Sequence, residues 1–178
     1  THFIPGADAH TSSGPRTSYN IGRIGGGTSV NSIPFESWME VDMRSLDPAS
    51  LQALDDIFQE AVQQGLEDEN ALRRRGAALT VEVDQLGNRP AGTMDAATTP
   101  LVQRAMASVL QLGGEPSVGS GSTNANTPIS LGIPAITIGR GGRGGNAHAL
   151  DEWWLPVDAH LAAWNALLVT LAEAGFDG

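Results

Sequence analysis

Residues 35–66 read FESWMEVDMRSLDPASLQALDDIFQEAVQQGL, and this stretch predicts a strand that leads directly into a helix. Over 35–44, apolar and polar side chains alternate, which is typical of a half-buried strand. We expect the inward face of this strand to carry Phe35, Ser37, Met39, Val41 and Met43.

The helix is predicted by a capping residue followed by an amphipathic repeat. Ser45 or Asp47 can cap its first turn, and Pro48 suits the first helical position. Apolar side chains then recur every three or four residues, at Leu51, Leu54, Ile57, Phe58, Ala61, Val62 and Leu66. Because this spacing places them on one face, we expect an amphipathic helix from Pro48 to about Gln64, or as far as Arg75.

Alternating patterns on both sides of this stretch predict two more strands, Tyr19–Ile24 and Ala78–Leu86. Residues 19–90 are therefore expected to form a strand–strand–helix–strand unit. Residues 5–18 are rich in Pro, Gly, Ser and Thr, which is typical of a loop.

The second half of the sequence predicts helices that alternate with short strands. The expected helices are Pro100–Leu112, Pro128–Leu131 and Pro156–Ala174, and the expected strands are Pro116–Val118 and Ala135–Ile138. In the last helix, the inward side chains should be Leu161, Trp164, Leu167, Leu168 and Leu171. The pattern favours a mixed α/β fold in two parts, 1–90 and 91–178.

Composition excludes several classes of function. The 178 residues carry a net charge of −10, so binding to nucleic acid or to an anionic membrane surface is disfavoured. The sequence contains no cysteine, which excludes disulfides and cysteine-built zinc sites. No apolar run approaches the roughly 20 residues that a membrane-spanning helix requires.

Two polar segments near the C-terminal end are candidate sites. Residues 139–144 match the pattern G-x-G-x-x-G, but the next predicted helix begins too late for a dinucleotide-binding loop, so a plain glycine-rich loop is favoured. His148 and Glu152 lie four residues apart after this loop. The imidazole is a candidate zinc ligand, although a lone histidine is more often a surface or capping residue.

Two further segments could bind an anion. Residues 119–126, GSGSTNAN, offer hydroxyls and backbone N–H groups before a helix, or they form an ordinary capped loop. Arg44 can bind a carboxylate with two parallel hydrogen bonds, and Asn31 can add a donor. The alternative for Arg44 is an ion pair with a nearby acid such as Asp42 or Asp47.

Taken in order, these segments resemble the M20 metallopeptidases. GGGTSVNSIP at 25–34 and MEVDMRS at 39–45 resemble the lid-domain signature of that family. GSTNANTPISLGIP at 121–134 and the segment 148–152 are similar to the end of its catalytic domain. The resemblance spans about residues 19–175, and the family includes di- and tripeptidases, aminoacylases, acetylornithine deacetylases and carboxypeptidases of glutamate conjugates.

The resemblance implies a fold and a function. The fold is an α+β lid of ferredoxin-like type over 1–90, joined to the C-terminal part of a zinc-peptidase α/β catalytic domain over 91–178. The function is zinc-dependent cleavage of amide bonds in small peptides or N-acyl amino acids by metal-activated water, with two zinc ions in each active site.

The resemblance also implies roles for individual residues. Asn31 and Arg44 would bind the free carboxylate of the substrate, and Glu152 would support the segment that carries His148. His148 would be a ligand of one zinc ion. The substrate pocket would be lined by Gly121, Ser122, Thr123 and Asn124.

The sequence departs from the family in one important respect. The His-x-Asp pair, the bridging Asp and the Glu-Glu pair that begin the family's catalytic domain have no counterpart here. The chain therefore looks like the C-terminal part of an M20 enzyme that starts inside the lid, with the N-terminal part of the catalytic domain as its missing partner. Since a zinc ion needs three or four protein ligands, we expect no catalytic residue in this chain and no activity from it alone.

Two classes of function remain open. The chain belongs to a homodimeric zinc enzyme, for which the cytoplasm is the default compartment, or it is a non-catalytic dimerisation or binding module derived from the same family. A pure dimerisation module would not need the pocket and ligand motifs of residues 119–152, so the sequence favours the enzyme.

Overall fold

The structure is a computed structural model that describes residues 2–175. Two compact units divide the chain, Thr1–Gly87 and Asn88–Gly178. Both helices and strands occur, as the mixed α/β prediction requires. The assignment of the second unit to a catalytic domain stays a prediction.

The first unit is a two-stranded hairpin covered by two helices. Helix α1 spans Phe3–Thr11, strand β1 spans Thr17–Gly26, strand β2 spans Ser37–Ser45, and helix α2 spans Pro48–Ala71. The strands are antiparallel, with Thr17 opposite Ser45 and Gly26 opposite Ser37. An irregularity between Ile21 and Arg23 shifts the register by one residue, which is the signature of a β-bulge.

A small hydrophobic core joins the helices to one face of the hairpin. Its buried members come from both helices: Phe3, Ala7, Leu54 and Phe58. The hairpin contributes partly buried side chains: Tyr19, Ile21, Val41 and Met43. The predicted inward face of β2 is therefore confirmed at Val41 and Met43. Phe35, Ser37 and Met39 are exposed, because the core contacts only the part of the hairpin where Tyr19 and Ile21 pair with Met43 and Val41.

Helix α2 confirms the sequence prediction in its start, its face and its length. Asp47 is the N-cap, and its carboxylate accepts a hydrogen bond from the Ser50 N–H at 2.7 Å, with Pro48 in the first turn. The helix continues to Ala71, which lies within the predicted range.

The prediction of a loop over residues 5–18 is wrong in its first half, where α1 forms. Pro5 is tolerated because it lies in the first turn, where a backbone N–H has no intrahelical partner. The helix is held by packing rather than by propensity, since Phe3 and Ala7 are buried and the rings of Phe3 and Phe58 meet edge to face at 5.3 Å.

The prediction of a strand over Ala78–Leu86 is also wrong. Within residues 2–175, this segment pairs with no strand, and its side chains are exposed. The side chain of Asn70 instead bonds both the N–H and the carbonyl oxygen of Leu79, at 2.8 and 3.1 Å. An alternating pattern of apolar and polar residues indicates a segment that could join a sheet. Backbone hydrogen bonds between strands form only where a neighbouring strand lies beside that segment.

The second unit contains three helices and a short hairpin. Helix α3 spans Pro100–Gln111, α4 spans Asn126–Ser130, β3 spans Arg143–Gly145, β4 spans Trp153–Leu155, and α5 spans His160–Ala174. Helices α3 and α5 pack together, and an ion pair joins Arg104 to Glu173 at 2.6 Å.

Several predictions for this unit are corrected. The strands expected at Pro116–Val118 and Ala135–Ile138 are not formed within the described residues. Strand β3 lies in the glycine-rich segment that was expected to be a loop, and β4 was not predicted. On α5, Trp164 and Leu167 are exposed, whereas Asn165 and Val169 are buried. The apolar spacing of α5 covers more than one face, so the face that meets α3 could not be identified from it.

No helix among residues 2–175 combines the length and the hydrophobicity needed to cross a membrane.

Candidate functional site

His148 lies in the loop of the β3–β4 hairpin, which we call the His148 loop (residues 146–152). Gly145 and Trp153 face each other at the base of this loop, and Arg143 faces Leu155 at the far end of the ladder. His148 is exposed. The loop therefore presents an imidazole to solvent on a short, paired scaffold.

Hydrogen bonds within the loop fix its shape. The Glu152 carboxylate accepts a hydrogen bond from the backbone N–H of His148 at 3.1 Å, and the Asp151 carboxylate accepts one from the side-chain amide of Asn146 at 2.7 Å. The Glu152 carboxylate thus bonds to the backbone of the segment that carries His148. Its supporting role stays a prediction.

The described residues do not build a zinc centre. Across residues 2–175, no three His, Cys, Asp or Glu side chains lie close enough together to hold a metal ion. A structural or catalytic zinc ion needs at least three protein ligands, so His148 could supply one ligand and no more. The two-zinc site that the resemblance implies does not fit these residues by themselves.

The segment Gly121–Asn124, the 121–124 loop, is shaped by polar side chains from neighbouring segments. The side-chain oxygen of Asn126 accepts a hydrogen bond from the N–H of Thr123 at 2.8 Å, and the Thr137 hydroxyl donates to the Thr123 hydroxyl at 2.8 Å. Thr123 is half-buried, whereas the other three residues are exposed. The loop is therefore anchored at one residue and open to solvent at the rest.

Arg89 is a neighbour of this loop that the sequence analysis missed. Its guanidinium donates a hydrogen bond to the Ser122 hydroxyl at 3.0 Å. The signal in the sequence was weak but present, since Arg89 is the one charged residue in the stretch GNRPAGTM at 87–94. Together with the hydroxyl of Ser122, this cation can bind a carboxylate.

Asn31 and Arg44 lie at opposite ends of the β1–β2 hairpin. Asn31 is in the loop that joins the two strands, where its side-chain oxygen accepts a hydrogen bond from the Ser29 hydroxyl at 2.9 Å. Arg44 faces Ser18 near the other end of the ladder, and it forms an ion pair with Asp42 at 2.6 Å. The local ion pair was the alternative raised from the sequence, and the structure shows it; a role in binding substrate stays a prediction for both residues.

Two groups that lie away from these candidates have shifted pKa values. A hydrogen bond to Asp8 raises the pKa of Tyr19 above its usual value. Hydrogen bonds from Thr98 and from the Ala97 N–H lower the pKa of Asp95, just before α3. Both shifts mark local hydrogen bonding in the fold rather than a reactive group.

Comparison with known proteins identifies the first unit. The family model of the peptidase dimerisation domain of M20 peptidases matches residues 2–70, a range that takes in the hairpin and nearly all of both helices that cover it. No curated protein matches the chain closely enough to count as a relative. Residues 2–70 are therefore similar to the peptidase dimerisation domain of the M20 family, which supports the chain as a fragment of an M20 family peptidase.

Proposed function

We propose that this chain works in a zinc-dependent M20-type amidohydrolase that cleaves amide bonds in small peptides or N-acyl amino acids. The first unit supplies dimerisation, and the second supplies part of the substrate pocket and one zinc ligand, His148. The observation that carries the proposal is the contact between Arg89 and Ser122, which puts a cation at the rim of an open loop of small polar residues.

That arrangement suits a substrate with a free carboxylate. Small side chains at Gly121, Ser122 and Thr123 leave room for the substrate's backbone, while the guanidinium of Arg89 pairs with its negative charge. Asn31 and Arg44 are further candidates for carboxylate binding. Arg44 would first have to exchange its ion pair with Asp42 for one with the substrate.

Zinc would supply an activated water and would polarise the scissile carbonyl group. Among residues 2–175, we propose His148 alone as a zinc ligand. The remaining zinc ligands would then come from other parts of the enzyme. We therefore expect the 178-residue chain to be inactive by itself, and we expect the complete enzyme to be a homodimer of the cytoplasm.

The test compares the 178-residue chain with the protein as its gene encodes it. Both are loaded with zinc and assayed against dipeptides, tripeptides and N-acetyl amino acids. We expect hydrolysis by the encoded protein, loss of activity with a chelator, and recovery when zinc is restored. His148→Ala should abolish the recovery, whereas His10→Ala, a change in the first unit, should leave it intact. Absence of zinc-dependent hydrolysis across all three substrate classes would reject the proposal.

A non-catalytic dimerisation or binding module is the second candidate. The observation that favours it is the lack of any three-ligand cluster within residues 2–175. It predicts a dimer that chelators do not change and an encoded protein that neither binds zinc nor hydrolyses amides. Sedimentation and metal analysis of the encoded protein, with and without chelator, distinguish the two.

A further inference from the structure

Three consecutive arginines, which take no part in the proposed function, follow helix α2. Arg73, Arg74 and Arg75, the arginine run, come directly after the C-cap residue Leu72, and all three are exposed. The chain contains ten arginines and no lysine, so almost a third of its permanently basic side chains are concentrated at this one place. The arginine run is therefore a local positive charge in a chain whose net charge is −10.

Few hydrogen bonds among residues 2–175 hold the backbone of the arginine run. The N–H of Arg73 donates to the carbonyl oxygen of Asn70 at 3.2 Å, and the Arg73 guanidinium donates to the carbonyl oxygen of Gly76 at 2.6 Å. The φ of Gly76 is +83°, so the chain turns there. From residue 78 to residue 95, no helix, strand or turn is formed. The arginine run therefore lies at the start of a long exposed segment without regular structure.

Cations at the C-terminal end of a helix ordinarily offset the negative end of the helix dipole. This role is open to the arginine run, since the last turn of α2 has no basic residue and the acids at 67–69 precede it. However, none of the ion pairs within residues 2–175 includes an arginine of the run. Its exposed guanidinium groups are therefore accessible to another molecule.

An exposed arginine in an irregular segment is what an arginine-specific endopeptidase recognises. Proteases of the trypsin type hold the arginine side chain in an acidic pocket. Exposed loops are preferred sites of proteolytic cleavage, whereas a bond inside a helix or a strand ladder must first be released by local unfolding. The arginine run meets both requirements, because it has the basic side chains and lies outside every helix and strand.

The other seven arginines of the chain are less suited to cleavage. Arg89 precedes Pro90, whose ring fixes φ and removes the N–H, so this peptide bond fits a protease poorly. The carbonyl oxygen of Arg16 accepts a backbone hydrogen bond at 3.1 Å from the residue after β2. The guanidinium of Arg140 lies over the ring of Trp154, 6.0 Å from its centre. The remaining four arginines lie in strands or in a helix: Arg23, Arg44, Arg104 and Arg143.

We propose that the arginine run is a cleavage site at which a trypsin-like endopeptidase divides the chain. Water hydrolyses the peptide bond after one of the three arginines: its oxygen joins the carbonyl carbon, which becomes a carboxylate, and the nitrogen of the next residue leaves as an amine. The cut lies beyond the end of α2 and beyond residues 2–70, which match the dimerisation domain. It separates them from the residues that carry the 121–124 loop and His148. The cleavage does not depend on zinc or on any activity of this chain, so it stands apart from the proposed function.

The experiment treats the 178-residue chain with a low concentration of trypsin and follows the fragments by intact mass. The first two fragments should meet after residue 73, 74 or 75, and cuts after the other arginines should be about tenfold slower or more. The triple variant Arg73→Gln, Arg74→Gln, Arg75→Gln should lose this first cut. The matched control also removes three exposed arginines, as Arg16→Gln, Arg140→Gln, Arg143→Gln, and it should keep the first cut at the parent rate.

Circular dichroism of the cut chain gives a second measurement. The buried core of the first unit precedes the arginine run and should keep its helical signal after the first cut: Phe3, Ala7, Leu54 and Phe58. Loss of that signal would overturn the proposal, because the cut would then destroy the first unit instead of separating it.

Two results of the trypsin experiment would also overturn the proposal. The first is an initial cut after any arginine outside the run. The second is a triple variant that is cut as fast as the parent but has a lower melting temperature. That result would leave the arginine run with its ordinary role at the end of the helix.

Discussion

Arg89 donates a hydrogen bond to the hydroxyl of Ser122 across 33 positions of sequence. Both side chains are exposed, so the contact stands at the surface of the second unit rather than within a core. An exposed arginine that bonds a neutral hydroxyl keeps most of its charge available for a ligand. This contact is the basis of the first prediction.

Arg89→Ala should weaken the binding of substrates that carry a free carboxylate. A hydrogen bond to a charged group contributes about 1.5–3 kcal/mol, so KM should rise roughly tenfold to a hundredfold with a smaller change in kcat. The measurement is steady-state kinetics of the encoded protein with an N-acetyl amino acid and with its amide, which lacks the carboxylate. Arg16→Ala is the control, and equal losses on both substrates would argue against carboxylate binding.

Leu54→Ala should destabilise the first unit, because Leu54 is fully buried between the helices and the hairpin. Truncation of a buried leucine costs about 2–5 kcal/mol in the free energy of unfolding. Urea denaturation followed by circular dichroism measures the change. Leu72→Ala removes the same atoms at a site that is 74% exposed, and it should cost far less. Similar losses in the two variants would contradict the burial of Leu54 in the core of the first unit.

Asp95 should stabilise the start of α3 in a pH-dependent way. The hydrogen bonds from Thr98 and Ala97 lower its pKa in the folded state below the usual 3.8. The stabilisation is therefore complete above that value and is lost as the pH falls through the lower pKa of the folded state. At neutral pH, Asp95→Ala should have a lower melting temperature than the parent protein. The difference between the two melting temperatures should shrink in strong acid. A difference that stays constant with pH would show that the carboxylate charge is not involved.

Gly142→Ala should disrupt the hairpin that carries His148. The φ of Gly142 is +74°, and an added Cβ would come within 2.5 Å of both the Leu155 carbonyl oxygen and the Trp154 indole nitrogen. The left-handed backbone alone costs an alanine about 1–2 kcal/mol. Tryptophan fluorescence and near-ultraviolet circular dichroism should change. Gly139→Ala, which has open space around its Cβ, should leave both spectra as they are.

The sequence predicted those elements whose signals are local. Helix α2 carries its own cap at Asp47 and its own apolar face, so both its start and its buried side were foreseen. Helix α3 was likewise bounded by Pro100 and by the glycines that follow it. The strand expected at Ala78–Leu86 failed because pairing depends on a neighbour, which alternation cannot supply. Helix α1 was missed because tertiary packing overrides a composition typical of a loop.

The sequence offered candidate residues for a site, whose roles stay predictions, but it did not indicate their contacts. His148 and Glu152 were linked by spacing, yet the bond runs to the backbone N–H of His148, which no spacing rule indicates. Arg89 was missed because its partner lies far away in the sequence. Asn31 and Arg44 were grouped by shared chemistry, and the register of the hairpin places them at its two ends.

The hairpin of the dimerisation domain has two strands within the described residues, so it has no interior strand. Among residues 2–175, β1 and β2 each have one row of backbone donors and acceptors without ladder partners, and such a row can pair with a strand of another chain. A two-fold dimer that uses one row is a closed assembly, but copies that use both rows in turn form an open, growing filament. The oligomeric state of this domain in solution is therefore expected to depend on protein concentration. Any element that covers the second row of backbone groups would stop the filament from elongating.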